Sequence, residues 1–201
     1  MTSLSFDDVL LVPQYSDIES RKVLTTKNSL GDIELYLPII SSPMDTVTEV
    51  DMASIVDAHG GLGIIHRYNR PAGQADLVKR ARLRNIKNVG AAIGVTGDFL
   101  ERAQAVVEEG ATVLCVDVAH GHHSMMRDAL RALRMALGDS VHIMAGNVAT
   151  GEGANALAEW GADSVRVGVG GGSICSTRLV SGHGVPTLQS VMDCVDAGCP
   201  I

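Results

Sequence analysis

The residues with the clearest capacity for chemistry lie in GVGGGSICSTR, residues 168–178. Four glycines fall in five positions, followed by Ser173 and then Cys175. Glycine tolerates positive φ and lets the backbone approach a ligand closely, so consecutive amides can converge on an anion. A phosphate cradle of this kind gains a hydroxyl donor from Ser173. If the carbonyls point inward instead, the same loop rings a monovalent cation. A thiol beside converging N–H groups acquires thiolate character, which a nucleophile needs. Thr177, two residues past Cys175, is near enough to hold a water or a proton on the same side of a substrate. The competing reading is a loose surface linker that runs into a cysteine. As a dinucleotide fingerprint the stretch is poor: Ser173 stands where a glycine is expected, and no helix is expected to open there.

Other polar residues end apolar runs. Asp117 in VDVAHGH is placed to accept a ribose hydroxyl. His120, His122 and His123 invite a zinc reading, but they are packed too tightly for the usual ligand spacing, and a loop that shapes a cofactor pocket fits them better. Asp45 in PMDTVTE reads as a site residue or as the cap of a helix starting near Thr48. Cys115, inside VLCVDV, belongs to the core, while Cys194 and Cys199 flank a helix end and read as structural.

These residues must be positioned by a repeating unit. Apolar runs at 37–45, 61–67, 88–95, 112–121, 141–149 and 163–172 alternate with amphipathic stretches such as 99–111 and 153–162. Gly110 and Gly161 fall where a glycine ends a helix. Strand–helix alternation means parallel strands with crossovers. Ser42, Asp45, His66, Asp117, His120, Asn147 and Gly170 all mark C-terminal strand ends. A (β/α)8 TIM barrel gathers such ends round one mouth, whereas a doubly wound sheet favours one switch point. The barrel is therefore the expected α/β fold, with about its first six strands in this chain. Residues 1–201 read as a single barrel domain, C-terminally incomplete, because GCPI at 198–201 looks like the start of a seventh strand.

Composition narrows the partners. Apolar residues make up 46% of the 201 residues and aromatics 3%, so the core must be aliphatic, as in strands buried on both faces. A net charge of −7 argues against nucleic acid or an anionic membrane surface. No apolar stretch nears the roughly 18 residues that a membrane helix requires. The four cysteines form no CxxC pair, so free thiols in a cytoplasmic protein are expected.

SSPMDTVTE (41–49), GGLGIIHR (60–67), GAAIGVTGD (90–98), VDVAHGH (116–122), MAGNVAT (144–150) and GVGGGSICSTR (168–178) together resemble the IMP dehydrogenase / GMP reductase family, as does LSFDDVLLVPQYSD (4–17). The resemblance runs from about residue 4 to the end and implies a (β/α)8 barrel that forms a homotetramer. It implies an oxidoreductase of purine nucleotides with IMP or GMP as substrate and NAD, or alternatively NADP, as cofactor. Cys175 would be the nucleophile at purine C2, with Thr177 handling water or the leaving amine. Ser173 would contact the nucleotide phosphate, with Ser42 and Met44 lining the nucleotide site. Asp117 would hold a ribose of the dinucleotide, Asn147 would lie near the reacting ring, and Gly168 and Gly170 would belong to the cofactor site. The carbonyls of Gly170, Gly172 and Cys175 match the family's potassium site.

Two branches of the family run opposite chemistry. MDTVTE and GVTGD resemble the dehydrogenases, which oxidise IMP to XMP with NAD in guanine nucleotide biosynthesis. The spacing of His66 and Asn88 leaves no room for the regulatory insert common in dehydrogenases, a pattern shared by reductases, which convert GMP to IMP with NADPH. GVGGG departs from the family's usual GVGPG or GIGPG. The late phosphate-binding strands and the catalytic flap of the family have no counterpart in this sequence. The dehydrogenase is the expected activity, the reductase the alternative, and a non-catalytic nucleotide-binding barrel remnant the third possibility.

Overall fold

A computed structural model describes residues 3–201. An antiparallel hairpin, β1 (Asn28–Leu30) and β2 (Ile33–Leu35), precedes the main sheet. The alternating units follow: β3 (Ile40–Ser41), α1 (Val50–Ala58), β4 (Leu62–Ile65), α2 (Pro71–Leu83), β5 (Val89–Ile93), α3 (Phe99–Glu108), β6 (Val113–Asp117), α4 (Ser124–Leu137), β7 (His142–Val148), α5 (Gly151–Glu159) and β8 (Ser164–Val167). Two short helices close the chain, α6 (Thr177–Ser181) and α7 (Thr187–Cys194). No described helix is long and apolar enough to cross a membrane.

Strands β3 to β8 form one parallel sheet in chain order. All six expected runs supply a strand, and the curled sheet is the six-stranded part of a TIM barrel. The run at 37–45 is trimmed most, to two residues. Helices α3 and α5 end where the glycines lie: Gly110 takes φ +99 and Gly161 φ +112, conformations that a Cβ disfavours. The hairpin was not foreseen, although Leu30-Gly31-Asp32-Ile33 carries the two-residue turn signal and Gly31 sits at φ +57. Asp45 does not cap α1. The helix opens at Val50, and the Asp45 carboxylate instead accepts the Thr46 N–H at 3.0 Å.

Alternation along the strands sorts the core into two layers. Ile65, Val89, Ala91, Ile93, Leu114, Val116, Ile143 and Ala145 pack outward against the helices. Leu62, Ile64, Ala92, Val113, Cys115 and Met144 face inward, where hairpin residues Leu30, Ile33 and Leu35 plug the N-terminal end of the barrel. The other end is thereby left for polar residues. Edge strand β8 has one further partner, a hydrogen bond from the Val165 N–H to the Pro200 carbonyl at 2.9 Å.

A buried polar network fixes the upper ends of β4 and β5. Gln74, fully buried, donates to the carbonyls of Ile65 (3.2 Å) and Ala92 (2.8 Å). Its own oxygen accepts from Arg102 at 3.1 Å, and Arg102 also reaches Asp98 (2.9 Å) and the Asn69 carbonyl (2.8 Å). Replacing Gln74 by leucine strips two strand-end carbonyls of their donor and leaves a buried guanidinium N–H unmet. Gln74→Leu should cost about 2 to 3 kcal/mol of stability, read as an earlier midpoint in urea unfolding; an unchanged midpoint would show the network to be dispensable.

Candidate active site

Asp117, Gly146 and Arg166 occupy one row across β6, β7 and β8. A Cβ on Gly146 would fall 2.7 Å from the Arg166 Cβ, so only glycine lets the arginine lie across the middle strand. Arg166 thereby reaches the Asp117 carboxylate at 2.5 Å and the Cys115 sulfur at 3.4 Å. Burial pushes the Cys115 thiol up to about 11, with the Arg166 guanidinium pulling the other way, so this cysteine is a neutral core group and no nucleophile. The ion pair employs one oxygen of Asp117, and the carboxylate still lines an open cleft.

That cleft measures about 840 Å³, within the roughly 300–1,000 Å³ range of small-molecule sites. It lies at the C-terminal ends of the strands. Met44, Asp117, Asn147, Gly168, Gly170, Gly172, Cys175 and Thr177 all line it, which brings together eight of the ten residues expected from the sequence. Ser42 lines a neighbouring cavity of about 340 Å³ between the two edges of the sheet, which shares Asn147 and Arg166 with the cleft. Ser173 is exposed on the loop and lines neither. The Ser42 loop is held by Thr48, whose buried hydroxyl donates to the Ser42 carbonyl at 2.6 Å and lies 2.9 Å from the Ser41 hydroxyl. Asn147 donates its side-chain amide to the Gly168 carbonyl at 3.0 Å and so fixes where the glycine loop departs from β8.

The loop is not a loose linker. The Val185 N–H closes it back onto the Val169 carbonyl at 3.0 Å. Gly170, at φ +78, has no room for a side chain: a Cβ would meet the Arg178 Cγ at 2.9 Å and the Gly184 Cα at 3.2 Å. A helix does open here, against the sequence expectation, because α6 begins at Thr177. Its first turn faces the thiol. The Thr177 hydroxyl and backbone N–H favour the thiolate by hydrogen bonding, Arg178 adds positive charge, and together they hold the thiol below its ordinary pKa. The Gly172 carbonyl accepts the Cys175 N–H at 3.1 Å, which gives the loop a tight turn before the thiol.

The histidines have local partners. His123 accepts the Met125 N–H and caps α4, and the His122 ring lies 5.9 Å from Trp160. Among the described residues no three His, Cys, Asp or Glu side chains cluster as metal ligands.

The IMP dehydrogenase / GMP reductase domain matches residues 3–199, nearly the whole chain. The chain belongs to this family. It is 32% identical to inosine-5′-monophosphate dehydrogenase of Nitrosopumilus maritimus, over 98% of this chain and 68% of that protein. It is 30% identical to GMP reductase of Leishmania major, over 95% of this chain and 66% of that protein. The crystal structure of inosine 5′-monophosphate dehydrogenase from Legionella pneumophila superimposes with a TM-score of 0.90 at 44% identity, covering 98% of this chain and 60% of that one. The chain therefore spans about three fifths of the Legionella chain's length.

Within this family domain, the donors present suit the groups that the family resemblance implies. Neutral carbonyl oxygens at Gly170, Gly172 and Cys175 are the hard ligands that an alkali cation takes. The cleft offers a carboxylate, an amide-bearing side chain and two arginines, polar groups of the kind that a dinucleotide would use. Those arginines, Arg67 and Arg166, were missed as site residues in the sequence. The available signal was a charged side chain in or directly after an apolar strand run, in SVRVG and GIIHR.

The Cys175 environment can be checked by its titration. Thr177→Val removes a donor to the thiolate, so the pKa should rise and less thiolate should exist at neutral pH. Iodoacetamide alkylation of Cys175, followed across pH by mass spectrometry, should shift its midpoint upward in the variant. An unshifted midpoint would show that Thr177 does not tune the thiol.

Proposed function

We propose that this chain carries the nucleophile and most of the nucleotide cleft of an IMP dehydrogenase that oxidises IMP to XMP with NAD. The observation that carries the reading is Cys175 itself: a thiol with a lowered pKa, at the end of a closed glycine loop, facing a cleft of nucleotide size. The Cys175 sulfur adds to purine C2 and the hydride on C2 departs, so the carbon is oxidised while sulfur stays bonded to it. Bound NAD supplies the acceptor for that hydride. Water then replaces sulfur at C2, which releases XMP and returns the thiol. Thr177, which lines the cleft beside Cys175, would take the proton that water sheds. Asp117 offers its free oxygen to a ribose hydroxyl, Asn147 stands beside the reacting ring, and the loop amides receive the substrate phosphate, toward which Ser173, exposed on the loop here, would have to turn its hydroxyl. Met44 and Ser42 flank the nucleotide from the β3 side. The Gly170, Gly172 and Cys175 carbonyls would hold potassium, which braces the loop.

The second reading is a GMP reductase, favoured by the 30% identity to the Leishmania protein of that name. Here Cys175 displaces ammonia at C2, and hydride from NADPH then displaces the sulfur to give IMP.

A paired absorbance assay for reduced nicotinamide separates them, with potassium present. IMP with NAD should raise the signal, and Cys175→Ala should abolish that rise while IMP still binds within about threefold of wild type. A fall with GMP and NADPH would instead establish the reductase. Turnover surviving in Cys175→Ala would eliminate the covalent route.

A further inference from the structure

The N-terminal end of the barrel carries a titratable group that the cleft does not use. His142 opens β7, two residues before Met144, and strand alternation turns both side chains inward. Its Nε2 lies 2.8 Å from the hydroxyl of Ser164, which is fully buried on β8. Its Nδ1 has no hydrogen-bond partner among the described residues and faces the hairpin turn, where a Cβ added to Gly31 would stand 3.4 Å from it. A neutral ring with its proton on Nε2, donating to Ser164, therefore leaves no ring N–H unmet. A second proton would go to Nδ1, against the turn, where no acceptor waits.

The hairpin that covers this ring is weakly tied. Among the described residues no backbone hydrogen bond joins 28–35 to the six-stranded sheet, and Leu30, Ile33 and Leu35 hold the hairpin by apolar contact. A lone two-stranded hairpin is marginally stable, so this element opens first when its seat is disturbed. The charges around the ring do little to favour a second proton. Asp163, ahead of β8, is already engaged by Arg134 of α4 at 2.5 Å and by the Ile143 N–H at 2.7 Å. Asp32 of the hairpin turn and Asp139 beyond α4 line the same cavity of about 350 Å³, but both are exposed, so water screens them. Burial holds the imidazole below its ordinary value of 6.5; Asp163 and Asp32 pull it up, and Arg134 pushes it further down.

We propose that His142 is a pH-sensitive latch that keeps the hairpin seated while neutral and releases it on acidification. The folded ring takes up a proton less readily than a free one. Its contribution to stability is therefore whole above the ordinary value of 6.5 and is lost as the pH falls through the lower folded value. The bond to Ser164 survives, because Nε2 donates in both states, so the change is confined to the side that meets Gly31. The latch is independent of the reaction proposed above.

Hydrogen exchange of the whole chain tests it, read by mass spectrometry from about pH 7.5 to about pH 5 and corrected for the intrinsic exchange rate. In wild type, peptides covering the hairpin should lose protection about threefold or more as the pH falls, while those covering β5 and β6 keep theirs. His142→Gln, which offers a donor toward Ser164 but takes up no proton, should show flat hairpin protection. Asp32→Asn should leave the wild-type transition in place. The wild-type imidazole resonances give a reading that needs no variant: one ring titrating below 6.5 should share its midpoint with the loss of hairpin protection. A wild-type hairpin indifferent to pH, an unaltered transition in His142→Gln, its disappearance in Asp32→Asn, or a parallel loss in β5 and β6 each overturns the proposal.

Discussion

The site depends on a single row of the sheet: Asp117, Gly146 and Arg166, side by side on β6, β7 and β8. A glycine in the middle strand is what allows a guanidinium from one neighbour to meet a carboxylate from the other. The pair spans three strands at the level where the barrel interior changes from aliphatic to polar. Below it lie Cys115, Met144 and Ile64; above it opens the cleft. Partly buried, the pair neutralises two charges that an apolar interior would not accept singly. It also fixes Asp117 in one orientation, so a ligand meets a carboxylate that is already placed.

Around that row, rigidity comes from polar groups that satisfy strand-end carbonyls rather than from the apolar core alone. Gln74 does this for β4 and β5, Thr48 for the Ser42 turn, and Asn147 for the root of the glycine loop. Each is a side chain bonded to backbone at the point where a strand gives way to a site-bearing loop. A barrel needs such devices because the loops at its mouth carry the chemistry while little apolar surface packs around them.

Cys175 is held in the same way. The closed loop and the first turn of α6 bring Thr177 onto the Cys175 thiol, and the glycines are required because Arg178 and Gly184 crowd the space that a Cβ at Gly170 would need. Two cysteines, one inside β6 and one on the loop that follows β8, thus differ completely. Cys115 is kept neutral by burial, whereas Cys175 is near solvent, with donors aimed at its sulfur.

The sequence by itself determined the strand order, the aliphatic core and the set of strand-end residues. Those features follow from local periodicity and from residue types such as Gly110, Gly161, Asp117 and Cys175, each of which marks its own position. It also determined the family, because six motifs stand in order at compatible spacing. Only the tertiary structure decided which of these residues share a cleft. Ser42 and Ser173 fall outside it, and Asp45 turns out to bind its neighbour's N–H instead of capping α1. Arg67 and Arg166 entered the site only then, since their roles arise from contacts 50 and 49 residues away in the chain. No local pattern encodes such contacts; they come from the curl of the sheet, which brings distant strand ends around one opening.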